Sequence, residues 1–158
     1  MSTELEGGCD CGAVRYRLMS APMFVHCCHC RDCQRQTGSA FAINALIETA
    51  RASVLSGETE ASAMGTDSGK PHHIHRCAKC GTALWSVYGG AEQLRFMRVG
   101  TLDNAAALEP DVHIYVRSKL PWVRLPEGKP AFEAYYQASK VWPAESLARR
   151  SALFPPKA

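Results

Sequence analysis

Four cysteines fall within seven residues in the stretch His26-Cys27-Cys28-His29-Cys30-Arg31-Asp32-Cys33. Free cysteine is normally sparse and buried, so thiols packed this closely need a chemical reason: disulfides, or a shared soft metal. Cys28, Cys30 and Cys33 form C-x-C-x-x-C, a spacing that lets one tight turn aim several sulfurs at one point. Thiolates so arranged suit zinc, copper(I) or an iron–sulfur cluster. The N-terminal residues Met1 to Glu6 have neither a basic start nor an apolar run. They do not read as a secretory signal, and a cytoplasmic, reducing compartment is expected, where thiols stay reduced and metal is favoured over disulfides.

The other four cysteines come as two pairs. Cys9 and Cys11 lie in Gly7-Gly8-Cys9-Asp10-Cys11-Gly12, whose glycines read as turn formers; Cys77 and Cys80 lie in C-x-x-C-G, a zinc-knuckle spacing. Two distant pairs closing one tetrahedral four-cysteine site is a common structural zinc arrangement, and it would staple the N-terminal arm to the middle of the chain. Adjacent Cys27 and Cys28 point to opposite faces of an extended segment, so both are not expected at one metal. That leaves Cys28, Cys30 and Cys33 as three ligands with an open fourth position, the mark of a catalytic site. The alternative is a closed, structural second site in which His26, His29 or Cys27 supplies the fourth ligand.

The rest of the chain reads as many short strands separated by turns. Strands are expected over residues 14–18, 23–26, 40–47, 51–57, 82–88, 94–99 and 112–116, helical turns over 31–37 ended by Gly38, and a loop over 65–71. A short C-terminal helix is expected over 144–153, with Pro143 suited to its first turn and Pro155-Pro156 after its end. The fold class is therefore mainly β: short antiparallel strands in small packed sheets pinned by zinc. At 158 residues one domain is expected, 1–158. No run approaches the roughly 18–20 apolar residues of a membrane span. Seven deprotonated cysteines with two Zn²⁺ bring the formal charge of +3 to zero. With no basic run either, no nucleic-acid partner is expected.

Together, Gly7-Gly8-Cys9-x-Cys11-Gly12-x-Val14-Arg15-Tyr16, Cys28-His29-Cys30-x-x-Cys33, Thr37-Gly38 and Cys77-x-x-Cys80-Gly81-Thr82 resemble the glutathione-dependent formaldehyde-activating enzyme family, which includes centromere protein V. His113-Ile114-x-x-x-Ser118-Lys119-x-Pro121-Trp122 and Gly128-x-Pro130-x-Phe132 continue the resemblance, which spans roughly residues 7–135 and leaves 136–158 as a C-terminal tail. The resemblance implies a zinc-pinned β-fold, shared with type-B methionine sulfoxide reductases and Rab exchange-factor-like chaperones. It implies the same ligand division: Cys9, Cys11, Cys77 and Cys80 structural; Cys28, Cys30 and Cys33 catalytic. Cys27 departs from the pattern: it reads first as a small core residue, with a spare ligand or a redox partner as the alternatives.

Zinc held by three thiolates is electron-rich and suits an external thiol as fourth ligand. With glutathione and formaldehyde the product implied is S-hydroxymethylglutathione, which makes the formal class a carbon–sulfur lyase. Proximity and thiolate activation are what such an enzyme supplies. The alternative is a non-catalytic zinc-binding scaffold or interaction module with two structural sites. Arg31, Arg35 and Gln36 are candidates to hold a substrate carboxylate. His113, Ser118, Lys119 and Trp122 are candidate pocket residues. His72, His73 and His75 read as surface histidines, and Glu58/Glu60 as a solvated strand face. No Ser-His-Asp, P-loop or dinucleotide signature is present.

Overall fold

The computed structural model describes residues 4–156. The reading of Met1–Thr3 as part of a leaderless N-terminus lies outside these residues. Among the described residues ten strands form two sheets. β1 (Leu5–Gly8), β2 (Arg15–Leu18) and β5 (Ala52–Ser56) make a three-stranded sheet in the order β1-β2-β5. The second sheet has seven strands: β3 (Phe24–Cys28), β4 (Ala42–Glu48), β6 (Thr59–Met64), β7 (His72–Cys77), β8 (Ala83–Tyr88), β9 (Leu94–Arg98) and β10 (Val112–Ile114), in the order β10-β3-β4-β9-β8-β7-β6. α1 (Arg31–Thr37) follows β3, and α2 (Ala144–Leu153) lies near the end of the chain. Among the described residues no helix is long and apolar enough to cross a membrane.

The mainly β expectation holds, and both helices occupy the expected spans. Gly38 ends α1 in the left-handed region at φ 61°, where a side chain is disfavoured. Two local expectations need correction. Gly7 and Gly8 lie in a strand rather than a turn. A Cβ on Gly7 would sit 2.5 Å from the Tyr16 hydroxyl and from the Thr101 carbonyl, so glycine is there to let β1 pass over Tyr16. The sheets are also not wholly antiparallel: β10 pairs parallel with β3, placing His113 opposite Cys27 and Ile114 opposite Cys28. The outer side of β10 is closed by the Pro130–Phe132 segment, through His113 N–H to the Pro130 carbonyl and Phe132 N–H to the His113 carbonyl.

Two apolar clusters result. One joins Tyr16 and Leu18 of the small sheet, with Val14 just before β2, to Val25, Ile47, Leu84, Trp85 and Met97 of the large one. The other gathers Phe24, Leu46, Val112 and Ile114 beneath the C-terminal arm, with Trp142 stacked 5.0 Å from Phe24. The tail is therefore part of the packed structure. α2 is tied down by Arg149, whose Nε donates to Glu48 Oε1 at 2.7 Å. Burial alone would raise the Glu48 carboxyl, but the bonded Arg149 guanidinium, a backbone N–H and Arg51 together more than offset it and hold it below the usual carboxylate range.

Replacing Arg149 leaves a mostly buried carboxylate without its cation. Arg149→Met should cost about 2 kcal/mol, between the values for exposed and fully buried pairs, and lower Tm by about 4–8 °C. Because the Glu48 pKa is depressed on folding, the pair's contribution is full above the usual glutamate value of about 4.3 and fades as pH falls through the depressed value. Thermal melts of wild type and variant should therefore converge in acid and separate at neutral pH.

Candidate metal centres

The two distant cysteine pairs meet. Cys9, Cys11, Cys77 and Cys80 bring their sulfurs within 4.8 Å of one another, across 66 residues of chain between Cys11 and Cys77. Cys9 Sγ lies 3.5 Å from Cys11 Sγ, and Cys11 Sγ 3.9 Å from Cys77 Sγ. Zinc–sulfur bonds of about 2.3 Å at tetrahedral angles put sulfurs about 3.8 Å apart, so the donor set fits a tetrahedral ion. The chain holds the thiols ready with its own donors. Val14 N–H reaches Cys9 Sγ at 3.2 Å, Lys79 N–H reaches Cys77 Sγ at 3.4 Å, and Gly81 N–H closes the knuckle on the Cys77 carbonyl. Thr82 Oγ1, 3.1 Å from Cys80 Sγ, helps lower that thiol to about 6.

Cys28, Cys30 and Cys33 form the second group, again with sulfurs within 4.8 Å. Cys28 ends β3. Cys30 caps α1, its sulfur accepting from Cys33 N–H at 3.4 Å; Cys33 lies in the helix's first turn. The Cys28 and Cys33 thiols bond to Cys30 and pull it far below an ordinary thiol, while the same bonds push Cys28 up. Cys30 is the only one of the three that is not fully buried.

The three residues weighed as a fourth ligand are engaged elsewhere. His26 Nε2 lies 2.6 Å from the Tyr136 hydroxyl. Cys27 and His29 face away from Cys28 and form their own group with His113, so Cys27 is buried as expected but beside imidazoles.

Arg98, which the sequence reading did not single out, is the charged residue next to this group. It is only 7 % exposed, and its guanidinium donates to Asn44 Oδ1 and to Gln36 Oε1, each at 2.5 Å. It also faces Cys33. Among the described residues it makes no ion pair with a carboxylate, and its Nε has no partner. Burial lowers its pKa, and the neighbouring Cys33 and Cys28 sulfurs oppose that fall. The available signal was a polar residue inside the apolar run of β4: Asn44 stands directly opposite Arg98 in β9.

Gln36 on one side and Arg31, Arg35 and Trp122 on the other line two clefts. Gln36 and Arg98 line a cavity of about 500 Å³ with Phe41, Ile43, Arg76 and Thr82. Gln36 is held from both ends, by Arg98 and by His72 Nδ1 at 3.2 Å from its Nε2. Arg31, Arg35 and Trp122 line a second cavity of about 450 Å³ with Gln34, Ser39 and Leu120. Trp122 is 69 % exposed there. None of the three cysteines lines either cavity. Ser118 offers its carbonyl to Gln34 Nε2 at 2.9 Å, and Lys119 Nζ bonds the Leu120 and Val123 carbonyls of its own turn. Gln34, also missed in the sequence, donates to the His29 carbonyl as well and so clamps the site turn to α1. His72 is buried, while His73 and His75 are half-buried rather than on the surface; His75 stacks on Trp85. Glu58 and Glu60 are exposed, as expected.

Residues 4–118 match the family described as "Glutathione-dependent formaldehyde-activating enzyme". The chain belongs to this family. A Halomonas elongata protein named "Putative glutathione-dependent formaldehyde-activating enzyme" is 31 % identical over 127 residues, which cover 77 % of this chain and 80 % of that protein. A crystal structure of a Rhodobacter sphaeroides protein superposes with a TM-score of 0.48 at 19 % identity, covering 81 % of this chain and 99 % of that one.

Three thiolates around a divalent ion leave one net negative charge, which buried Arg98 offsets. Arg98→Met should therefore weaken metal at the three-cysteine group at least about tenfold, with Arg98→Lys between it and wild type; competition with a chromophoric chelator reads this. Cys77→Ala should lose one metal equivalent and at least about 10 °C in Tm. Structural metal contributes folding energy directly, and each kcal/mol is worth about 2–4 °C at this size.

Proposed function

We propose that this chain is a zinc-dependent enzyme that binds a thiol such as glutathione at the group Cys28, Cys30 and Cys33. There it forms or breaks an S-hydroxymethyl adduct with an aldehyde, as a carbon–sulfur lyase of the S-(hydroxymethyl)glutathione synthase type. The observation that carries this reading is the convergence of three sulfurs while His26, Cys27 and His29 are turned to other partners. In the same reading the four-cysteine group holds a second, structural zinc. Cys28, Cys30 and Cys33 would hold the zinc, which would supply a soft Lewis acid favouring the thiolate form of an incoming sulfur.

The chain's own residues supply the rest. Cys30 is the most accessible of the three. Arg98 offsets the gathered negative charge from a position fixed by Asn44 and Gln36. Arg31 and Arg35 offer cations to the carboxylates of a peptide thiol, beside the exposed face of Trp122. The reaction needs no oxidant: the carbon–sulfur bond forms as the carbonyl π bond opens, and the thiol proton ends on the oxygen. Holding both partners together is the main gain, since the addition is chemically easy. Free thiols are a requirement of this chemistry, and we place the protein in a reducing cytoplasm.

Cobalt(II) substituted for zinc, followed optically during titration with glutathione, tests the reading. The bands should shift saturably, Cys30→Ala should abolish the shift, and exchange between formaldehyde and its glutathione adduct should run faster than the buffer rate by NMR. A fully metallated protein whose bands ignore glutathione and smaller thiols would have a closed second site and would be a scaffold instead.

A further inference from the structure

Cys27, His29 and His113 form a third convergent group, on the opposite face of β3 from Cys28. Cys27 Sγ lies 3.6 Å from His29 Nε2, and His29 Nε2 lies 3.0 Å from His113 Nδ1. All three side chains are buried, at 1 %, 0 % and 6 % exposure. Main-chain bonds hold them from several directions. Parallel pairing sets His113 opposite Cys27, His29 N–H donates to the Ile114 carbonyl at 3.0 Å, and Gln34 Nε2 donates to the His29 carbonyl at 2.8 Å. The group is therefore organised by the fold before any ligand arrives.

Hydrogen bonding alone does not satisfy it. An imidazole nitrogen has one in-plane position, either a proton or a lone pair. His29 Nε2 can serve Cys27 or His113 but not both, although both lie close to it. One ion at the point of convergence satisfies all three donors together. The donor set also selects the ion. One thiolate and two neutral imidazoles carry a single negative charge, so a divalent ion would leave a buried net positive charge. Around the group two cations, Lys119 beside His29 and Lys129 beside His113, outnumber one sulfur of opposite sign, Cys33 beside Cys27. A monovalent ion leaves the site neutral. Thiolate with imidazole suits copper(I), and among the described residues no fourth protein donor joins the group.

We propose that Cys27, His29 and His113 form a buried three-coordinate copper(I) site, separate from both cysteine groups and tying β10 to β3. The test uses the full chain with zinc at its cysteine sites. Copper(I) held in a chelator buffer is added without oxygen, and metal content and copper K-edge absorption are measured. One copper should bind per chain with zinc content unchanged, and its neighbours should be one sulfur and two nitrogens. Cys27→Ser and His113→Gln should each lose that copper while keeping their zinc. Three outcomes overturn the proposal: no copper bound, a sulfur-only shell with zinc released, or a third equivalent taken as zinc but not as copper. The wild-type absorption measurement decides the matter even where a variant fails to fold.

Discussion

The pleat of β3 governs the chemistry of this molecule. Consecutive side chains of a strand leave on opposite faces, so Cys27 and Cys28 cannot share a metal although they are neighbours in sequence. Cys28 joins Cys30 and Cys33 on the side covered by the C-terminal arm, where Phe24 and His26 meet Trp142 and Tyr136. Cys27 faces the other way, toward the imidazoles of His29 and His113. A slip of one residue in the pairing of β3 with β4 and β10 would exchange the two sets. Asn44 and Arg98 also stand on neighbouring strands, β4 and β9, so the same registers place the cation beside the sulfurs.

Charge is the second constraint. Thiolates are costly to bury, and each cysteine group meets that cost differently. The four-cysteine group lies at the edge of the protein, with Cys11 and Cys80 exposed and amide or hydroxyl donors aimed at its sulfurs. The three-cysteine group is deeper and has beside it Arg98, which has no carboxylate partner among the described residues. That arginine also lines the larger cavity, so the group that balances the sulfurs is itself open to a ligand. Membership of the glutathione-dependent formaldehyde-activating enzyme family agrees with a site built around thiols.

Much of this was legible because cysteine spacing is a local signal with a long-range consequence. C-x-C and C-x-x-C each present two sulfurs on one turn, and two such pairs have few reasons to exist apart. The helix over 31–37 was readable from Gly38, and the one over 144–153 from its flanking prolines. What stayed hidden depends on contacts between distant segments. Gly7 looks like a turn residue until Tyr16 is seen crossing beneath it. Val112–Ile114 looks like any short strand, and nothing local says that it pairs parallel with β3. Arg98 looks like the polar end of an amphipathic strand, and its burial follows only from Asn44 opposite and from α1 above. The aromatic tail, Phe132 to Trp142, carries no periodic pattern because it packs as an extended arm.

We propose that the two cysteine groups differ in character, one holding the fold and the other exchanging a ligand. Stepwise chelation of the zinc protein, followed by native mass spectrometry and circular dichroism together, tests it most directly. Two zinc ions should leave in separate steps: the first with the fold intact, the second together with loss of β structure. Release of both in one step with unfolding, or of both from a chain that stays folded, would contradict the division of roles argued from Cys28, Cys30 and Cys33 on one side and Cys9, Cys11, Cys77 and Cys80 on the other.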